Sequence, residues 1–359
     1  MRIWIDLSTA PDPLFFRPLI ERFQKRGHTI WITAREFSET TRIARACGLV
    51  FEVVGEHGGS TLTGKSFAIF RRAVALARMA RREQIDLALG FNSYAQAVAA
   101  RIAGIPLATC MDYEYQPANH IAFRLAHRVI VPHGFDLRTL RRQGGTPEKV
   151  VFHDGLKEHV TLADFRPDQR FPDLLSELGI TRSDVLVTMR PPATQSTYHR
   201  FENALFDIVL QNLAGREGVK VLVLPRYRSQ AEEYRHLDLK NLVIPEQVLD
   251  GLNLVYWSDL VISAGGSMNR EAVVLGTPAY TVFKGTMAGI DQNLIADGAL
   301  GLISAEEDLR KLPAPKKKEQ EHCVVKPATV DQVVDAVLST RGSTPDARYR
   351  GRRLRANTG

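Results

Sequence analysis

A chain of 359 residues is too long for one compact core and calls for two domains; 44% apolar and 24% charged residues is the balance of a soluble globular protein. A net charge of +7 and a pI of about 9.4 favour an anionic partner, such as a nucleotide diphosphate or an acidic membrane surface. No stacked-aromatic basic pattern, zinc spacing or helix-turn-helix signal is present, so no nucleic-acid partner is expected.

In chain order, Arg2–Leu7 reads as a first strand, with Asp12 in the loop after it. Phe15–Lys25 is an amphipathic helix closed by Gly27, Thr29–Thr33 a strand, Phe37–Ala46 a helix capped by Gly48, and Val50–Val54 a third strand. A long helix over Phe67–Arg82 follows, then strand Leu87–Gly90, helix Tyr94–Ala103, strand Leu107–Met111, helix Pro117–Leu125 and strand Arg128–Val131. Polar, proline-bearing sequence from Gly155 to Asp184 breaks this rhythm and reads as a linker. The pattern restarts with strand Val185–Thr188, a helix around Phe201–Leu213 and strand Val219–Leu224. Strands Leu242–Ile244, Leu260–Ser263 and Ala279–Phe283, a helix at Gln292–Ala296 and a last helix at Val330–Ser339 complete it. Strands and helices alternating at this spacing predict an α/β protein of two Rossmann-like, doubly wound parallel sheets facing across a cleft. The expected domains are 1–155, a linker at 156–183, a second domain at 184–340, and an arginine-rich tail at 341–359 that is expected to be disordered.

The most informative stretch runs from Trp257 to Gln292. Leu260–Ser263 is a short buried strand, Gly265 and Gly266 turn the backbone, and Ser267–Leu275 is helical until Gly276-Thr277-Pro278. A strand, a glycine turn and a helix start make an anion site, because free N–H groups and the positive helix end point outside the strand. Glu271 lies one turn in, within reach of the two hydroxyls of a ribose; a plain tight connection with a solvated glutamate fits equally well. Ligands of parallel sheets bind beyond the carboxyl ends of the strands. The polar residues just after each strand are Asp12, His57, Asn92, Asp112, Glu114 and Asn119 in the first half. In the second half they are Arg190, Arg226, Gly265, Gly266, Ser267, Asn269, Glu271, Asp291 and Gln292. The first set offers carboxylates for acid–base work, with Asp12, Asp112 and Glu114 as catalytic candidates; the second offers arginines and a helix start for a diphosphate.

The string from Gly265 through Glu271, Gly276 and Pro278 to Asp291-Gln292 resembles the donor-nucleotide region of GT-B glycosyltransferases. Among these it looks like the N-acetylglucosaminyltransferase of lipid-linked peptidoglycan precursors. More closely, the chain resembles a bacterial and archaeal family of unknown function, number 354 of the domains of unknown function. The shared stretches are R-I-W-I-D-L, F-F-R-P-L-I-E-R-F-Q-K-R-G-H, T-A-R-E-F, G-E-H-G-G, V-L-P-R and G-G-S-M-N-R-E-A-V-V-L-G-T-P, which span nearly the whole chain. The family resemblance implies a GT-B-like fold. The glycosyltransferase resemblance implies that Glu271 holds the ribose, the glycine turn the diphosphate, and Asp291 and Gln292 the donor sugar. One departure stands out: the family reads asparagine-proline-proline-histidine after its first strand, with a second histidine two places on. This chain has Thr9-Ala10-Pro11-Asp12 and then Leu14, so Asp12 takes the place of a histidine base or marks a drifted site.

Gly59-Ser60-Thr61-Leu62-Thr63-Gly64-Lys65-Ser66 matches the phosphate-loop pattern between a strand and a helix. No apolar strand ending in aspartate follows to hold a metal, since Asp86 precedes its strand, and related sequences carry the loop without the full pattern. A loop over the cleft is the expectation. The helix Ser66–Arg82 carries Arg71, Arg72, Arg78, Arg81 and Arg82 among apolar residues. It fits either a sheet-covering helix with a solvated arginine face or one lying on an anionic membrane beside a lipid-linked acceptor. Cys47, Cys110 and Cys323 are far apart and odd in number, which suits a reducing cytosol. The opening M-R-I-W-I-D places an aspartate where a signal peptide needs its apolar centre, and no run approaches a membrane span. A cytoplasmic protein is expected, with peripheral contact at the inner membrane face. The expected function is a sugar-nucleotide glycosyltransferase of envelope or surface glycans, without metal or cofactor, acting on a lipid-linked or glycan acceptor. The alternatives are a non-hydrolysing sugar-nucleotide 2-epimerase and a nucleotide-sugar-binding protein that has lost catalysis.

Overall fold

The computed structural model describes residues 1–36, 40–55, 62–192, 204–310, 312, 316–318 and 327–343. Two compact units emerge: Met1–Thr161 with Pro327–Gly359, and Leu162–Lys326. In unit 1, seven strands form one parallel sheet: β1 (Arg2–Leu7), β2 (Thr29–Ala34), β3 (Glu52–Val53), β4 (Leu87–Phe91), β5 (Leu107–Cys110), β6 (Arg128–Pro132) and β7 (Val150–His153). Their order is β3-β2-β1-β4-β5-β6-β7, so the chain reverses its direction of winding between β1 and β4. Unit 2 repeats the scheme with β8 (Val185–Arg190), β9 (Val219–Val223), β10 (Leu242–Val243), β11 (Leu260–Ser263), β12 (Ala279–Thr281) and β13 (Gly301–Leu302). The order β10-β9-β8-β11-β12-β13 places its reversal between β8 and β11. All pairings are parallel, with Asp6 opposite Gly90 in the first sheet and Ser263 opposite Arg190 in the second.

The central strands are buried on both faces, which is why Ile3-Trp4-Ile5 and Leu260-Val261-Ile262 read as unbroken apolar runs. The long helix Leu62–Arg82 buries Ala73, Leu76, Ala77 and Ala80 in the core that also takes Ala95 and Ala99 of helix Tyr94–Ala103. These residues give it the buried face of a sheet-covering helix, while Phe70 is exposed. Arg72 belongs to the interior as well. Its guanidinium holds Asp6 through Nη1 to Oδ2 at 2.9 Å and Nη2 to Oδ1 at 2.7 Å, while its Nε donates to Val54 O at 2.7 Å. Thr33 and Ser93 hydroxyls also donate to Asp6, at 2.6 Å each. Burial raises the Asp6 pKa, but Arg72 and these donors outweigh it and hold the carboxyl below its ordinary value.

The division of the chain differs from the sequence expectation. Helix Lys157–Thr161 stays with unit 1, whereas Phe171 and Leu175 of helix Phe171–Glu177 join Leu222 and Leu254 in a core of unit 2. What reads as linker is thus packed structure, divided at Thr161. The final helix, Pro327–Ser339, belongs to unit 1 rather than to the second domain, because Val330, Val333, Val334 and Val337 form a buried stripe. Arg26 pairs with Asp331 and Asp335, and Gln332 exchanges hydrogen bonds with Asp154, all within that unit. Strands β7 and β13 and helices Leu137–Arg142, Arg228–Arg235 and Gly251–Trp257 are additions to the sequence reading. His57, Gly59–Thr61 of the phosphate-loop match, Cys323 and the tail from residue 344 lie outside the described residues, while Leu62 opens a helix. No helix among the described residues is long and apolar enough to cross a membrane.

Candidate functional site

In unit 2 the reversal between β8 and β11 opens the sheet edge where a parallel α/β fold places its ligand. Arg190 ends β8, Arg226 follows β9, and Gly265-Gly266 follow β11. Helix Gly266–Val274 begins there, and the N–H groups of its first turn have no intrahelical acceptor. A side chain at Gly266 would collide, and one at Gly265 would be crowded. A Cβ at Gly265 would meet Arg226 Nη2 at 3.1 Å, and one at Gly266 would meet Arg270 Nη2 at 2.8 Å. Arg226 is fixed against this turn: its Nε donates to Pro191 O at 2.9 Å, and its own N–H donates to Gln230 Oε1 at 2.8 Å. Gln230 Nε2 in turn donates to Pro192 O at 3.3 Å. Burial, together with the nearby positive charge of Arg190, lowers the Arg226 pKa to about 10. Arg190 Nε is buried without a hydrogen-bond partner among the described residues. Two guanidinium groups at one strand edge, neither paired with a carboxylate among the described residues, is a costly arrangement that an anion would relieve.

Glu271 is half-buried on the same helix, and Ser267 and Gln292 are exposed. Two expected binding residues face inward instead. Asn269 is buried and its Nδ2 donates to Ser263 O at 3.2 Å, tying the helix to its strand. Asp291 is clasped by Arg270, with Nε to Oδ1 at 2.7 Å and Nη2 to Oδ2 at 2.8 Å. Its carboxylate thereby braces the two helices beside the Gly266 turn. Gln292 Nε2 donates to Met287 O at 3.0 Å.

In unit 1, Asp12 opens helix Asp12–Lys25 and is 1% exposed. Both of its oxygens serve its own loop. Oδ2 accepts from Ser8 N at 2.7 Å, Thr9 N at 2.8 Å and Ser8 Oγ at 3.2 Å, and Oδ1 accepts from Thr9 Oγ1 at 2.5 Å. Glu114 is fully buried and accepts from Asp136 N at 3.1 Å through Oε1, while its carbonyl takes Asn119 Nδ2 at 3.2 Å and Gln143 Nε2 at 2.5 Å. It braces the segment after β5. Asp112 is different. Lys157 Nζ stands 2.8 Å from its Oδ2, 3.6 Å from Glu158 Oε1, and 5.5 Å from the centre of the Phe91 ring. Asn92, next to Phe91, takes a left-handed φ of 53°, an uncommon conformation for a side-chain-bearing residue and one that asparagine tolerates. Among the described residues no group of three or more His, Cys, Asp or Glu side chains is arranged to hold a metal.

The model of a family described as "Protein of unknown function (DUF354)" matches residues 1–337. The chain belongs to that family. A fellow sequence, an uncharacterized protein of Methanocaldococcus jannaschii, is 29% identical over 297 residues, covering 82% of this chain and 85% of its own length. Among solved structures, this DUF354 chain is similar to the UDP-GlcNAc 2-epimerase of Methanocaldococcus jannaschii in complex with UDP-GlcNAc and UDP. The TM-score is 0.71 at 15% identity, over 94% of this chain and 99% of the other. It is also similar to MurG of Acinetobacter baumannii, with a TM-score of 0.56 at 17% identity over 94% and 99%. The DUF354 fold is accordingly GT-B-like.

The structure thus gathers Arg190, Arg226, Gly265 and Gly266, and holds Asn269, Asp291 and Glu114 buried in contacts of their own. Sequence reasoning missed Arg270 and Lys157. Arg270 sits beside Asn269 in a helix that must cover a sheet, so a buried charge with a distant carboxylate was the available signal; Lys157 was hidden in the presumed linker. For Asp12, burial outweighs its hydrogen bonds and raises its pKa from 3.8 to about 6. A group that binds its proton more tightly when folded adds stability below pH 4, and that stability is lost as pH rises through 6. Asp12→Asn keeps an oxygen for Ser8 and Thr9 and abolishes this titration. The stability difference between parent and variant should therefore change by about 2 kcal/mol between pH 4 and pH 8, read from urea midpoints. A constant difference would mean that Asp12 is not desolvated as the fold shows.

Proposed function

We propose that this DUF354 chain is a GT-B-type glycosyltransferase that holds a UDP-sugar at the strand edge of unit 2 and transfers the sugar to an acceptor hydroxyl. The reading rests on one observation, the Arg190–Arg226 pair, without a carboxylate partner among the described residues, set against the Gly265-Gly266 helix start. When the sugar–phosphate bond breaks, negative charge grows on the departing diphosphate, and fixed guanidinium groups and helix N–H groups stabilise that charge. Because the arginines carry this charge, the reading requires no metal or cofactor. The acceptor we infer is a lipid-linked or glycan hydroxyl of envelope synthesis at the cytoplasmic face. A second reading, a UDP-sugar 2-epimerase, is favoured by the higher TM-score to the epimerase, 0.71 against 0.56.

The deciding experiment follows UDP-GlcNAc by NMR with and without added glycan acceptors. Acceptor-dependent UDP release supports transfer, and an acceptor-independent change of configuration at C2 supports epimerisation. Binding without either leaves a nucleotide-sugar-binding protein, and absence of UDP binding removes all three. Within this reading Glu271 meets the ribose. Glu271→Ala is expected to weaken UDP binding by roughly 1.5–3 kcal/mol with unchanged folding; equal calorimetric affinities would rule that role out.

A further inference from the structure

Strands β3, β4, β5, β6 and β7 succeed one another in a single direction across the sheet of unit 1. Right-handed crossovers put the four intervening helices, Leu62–Arg82, Tyr94–Ala103, Asn119–Leu125 and Leu137–Arg142, on one face of it. Ala77, Ala97, Phe123 and Leu140, one from each helix, meet in a single core beneath that layer. Between the last two helices, Arg124 Nη2 donates to Arg142 O at 2.7 Å and its Nη1 to Gln143 O at 3.2 Å. None of the four helices contains an aspartate or a glutamate, although such residues make up 40 of the 359 in the chain. Acids stand in the connections instead, where Glu83 pairs with Arg2 and Arg82, and the Asp136 carboxylate caps helix Leu137–Arg142. On the helices themselves Arg78, Arg82, Arg101, Arg138, Arg141 and Arg142 are exposed.

Each helix of the layer also exposes a large apolar side chain: Phe70, Ile102, Ile121 and Leu137, with Phe70 59% and Leu137 52% exposed. These are interleaved with the arginines. Ile121 lies one turn before Arg124 and Leu137 one turn before Arg141, and Arg81 Nη2 donates to Ile102 O. His127, which follows the third helix, feels the resulting field: burial first, then the charges of Lys149 and Arg101, hold its pKa below the ordinary value. A merely solvated face mixes charges of both signs. A nucleic-acid surface uses the cations but has no use for the aliphatic side chains. An anionic bilayer takes both, arginines at its headgroups and apolar side chains at the acyl boundary. We propose that this helical layer of unit 1 docks on an anionic lipid surface through its arginines and the apolar side chains set among them. The docking involves unit 1 alone and stands apart from the transferase reading; where both hold, it carries the chain to the surface in which a lipid-linked acceptor lies.

The test sediments the full chain with mixed vesicles of phosphatidylglycerol and phosphatidylcholine, and with vesicles of phosphatidylcholine alone. The parent should bind the mixed vesicles, bind the neutral ones at least about tenfold more weakly, and lose affinity as salt rises. One arginine near an anionic surface strengthens partitioning by about fivefold. Arg138→Gln, Arg141→Gln and Arg142→Gln together should therefore weaken it by about a hundredfold. A charge-matched variant of exposed residues in unit 2, Arg170→Gln with Arg182→Gln and Arg235→Gln, should stay within a few-fold of the parent. Ile121→Ser with Leu137→Ser keeps every charge and should still weaken binding by about tenfold. All these side chains are exposed, so thermal unfolding should match the parent. No binding to the mixed vesicles, or equal binding to both kinds, overturns the proposal. An equal loss in the two arginine variants overturns it as well, since net charge alone would then be acting. So does tighter binding of a single-stranded RNA probe that the two serine substitutions leave unchanged, which would make the layer a nucleic-acid surface. No sugar nucleotide is present, so a chain that turns over UDP-GlcNAc without binding vesicles loses the docking and keeps the transferase reading. Vesicle binding without turnover does the reverse.

Discussion

Replacing Arg190 and Arg226 together with methionine is expected to lower UDP-sugar affinity by about 10²–10⁴-fold, taking roughly 1.5–3 kcal/mol for each charged contact. The ligand-free chain should lose little stability and can gain some. Arg226 is desolvated and faces a second guanidinium, so each charge raises the free energy of the empty fold. A group that costs stability when the site is empty and contributes when it is filled is the signature of a binding residue. Calorimetry of UDP binding and thermal unfolding without ligand read the two halves separately. If affinity survives within a few-fold, the diphosphate lies elsewhere and the site in unit 2 is wrong.

Asp291→Ala should behave in the opposite way. Removing one partner of a buried bidentate pair strands Arg270, which is 4% exposed, and such losses cost about 3–5 kcal/mol. For a unit of this size that corresponds to a fall in Tm of about 10 °C. Replacing both members by apolar residues, Arg270→Met with Asp291→Leu, should return most of the loss, because no unpaired charge then remains. A single variant that unfolds normally but no longer binds UDP-sugar would instead return Asp291 to the donor site.

Most strand positions and the glycine turn were legible from the chain because they follow from short-range rules. Apolar runs such as Leu260-Val261-Ile262 and the Gly265-Gly266 pair carry their conformations locally. The destination of a charged side chain is not local. Nothing near Asp291 in sequence says that Arg270 will clasp it, and nothing near Asp112 announces Lys157, which lies 45 positions on and in another element. Asp6 was the exception in principle: a carboxylate inside the apolar run Ile3–Leu7 must find a partner, and only its identity, Arg72, needed the fold. The last helix went to the wrong unit for the same reason, since its valine stripe specifies an apolar neighbour without saying which.

The return of helix Pro327–Ser339 to unit 1 makes unit 2 an insertion within the chain of the first. On the ribosome, Leu162–Lys326 emerges as one continuous piece with every strand of its sheet in hand. Unit 1 begins earlier yet finishes later. Helix Pro327–Ser339, which packs on helix Asp12–Lys25, emerges only after the whole of unit 2. During that interval the flank of helix Asp12–Lys25 that it covers is open, and the unit that begins before the other is sealed after it.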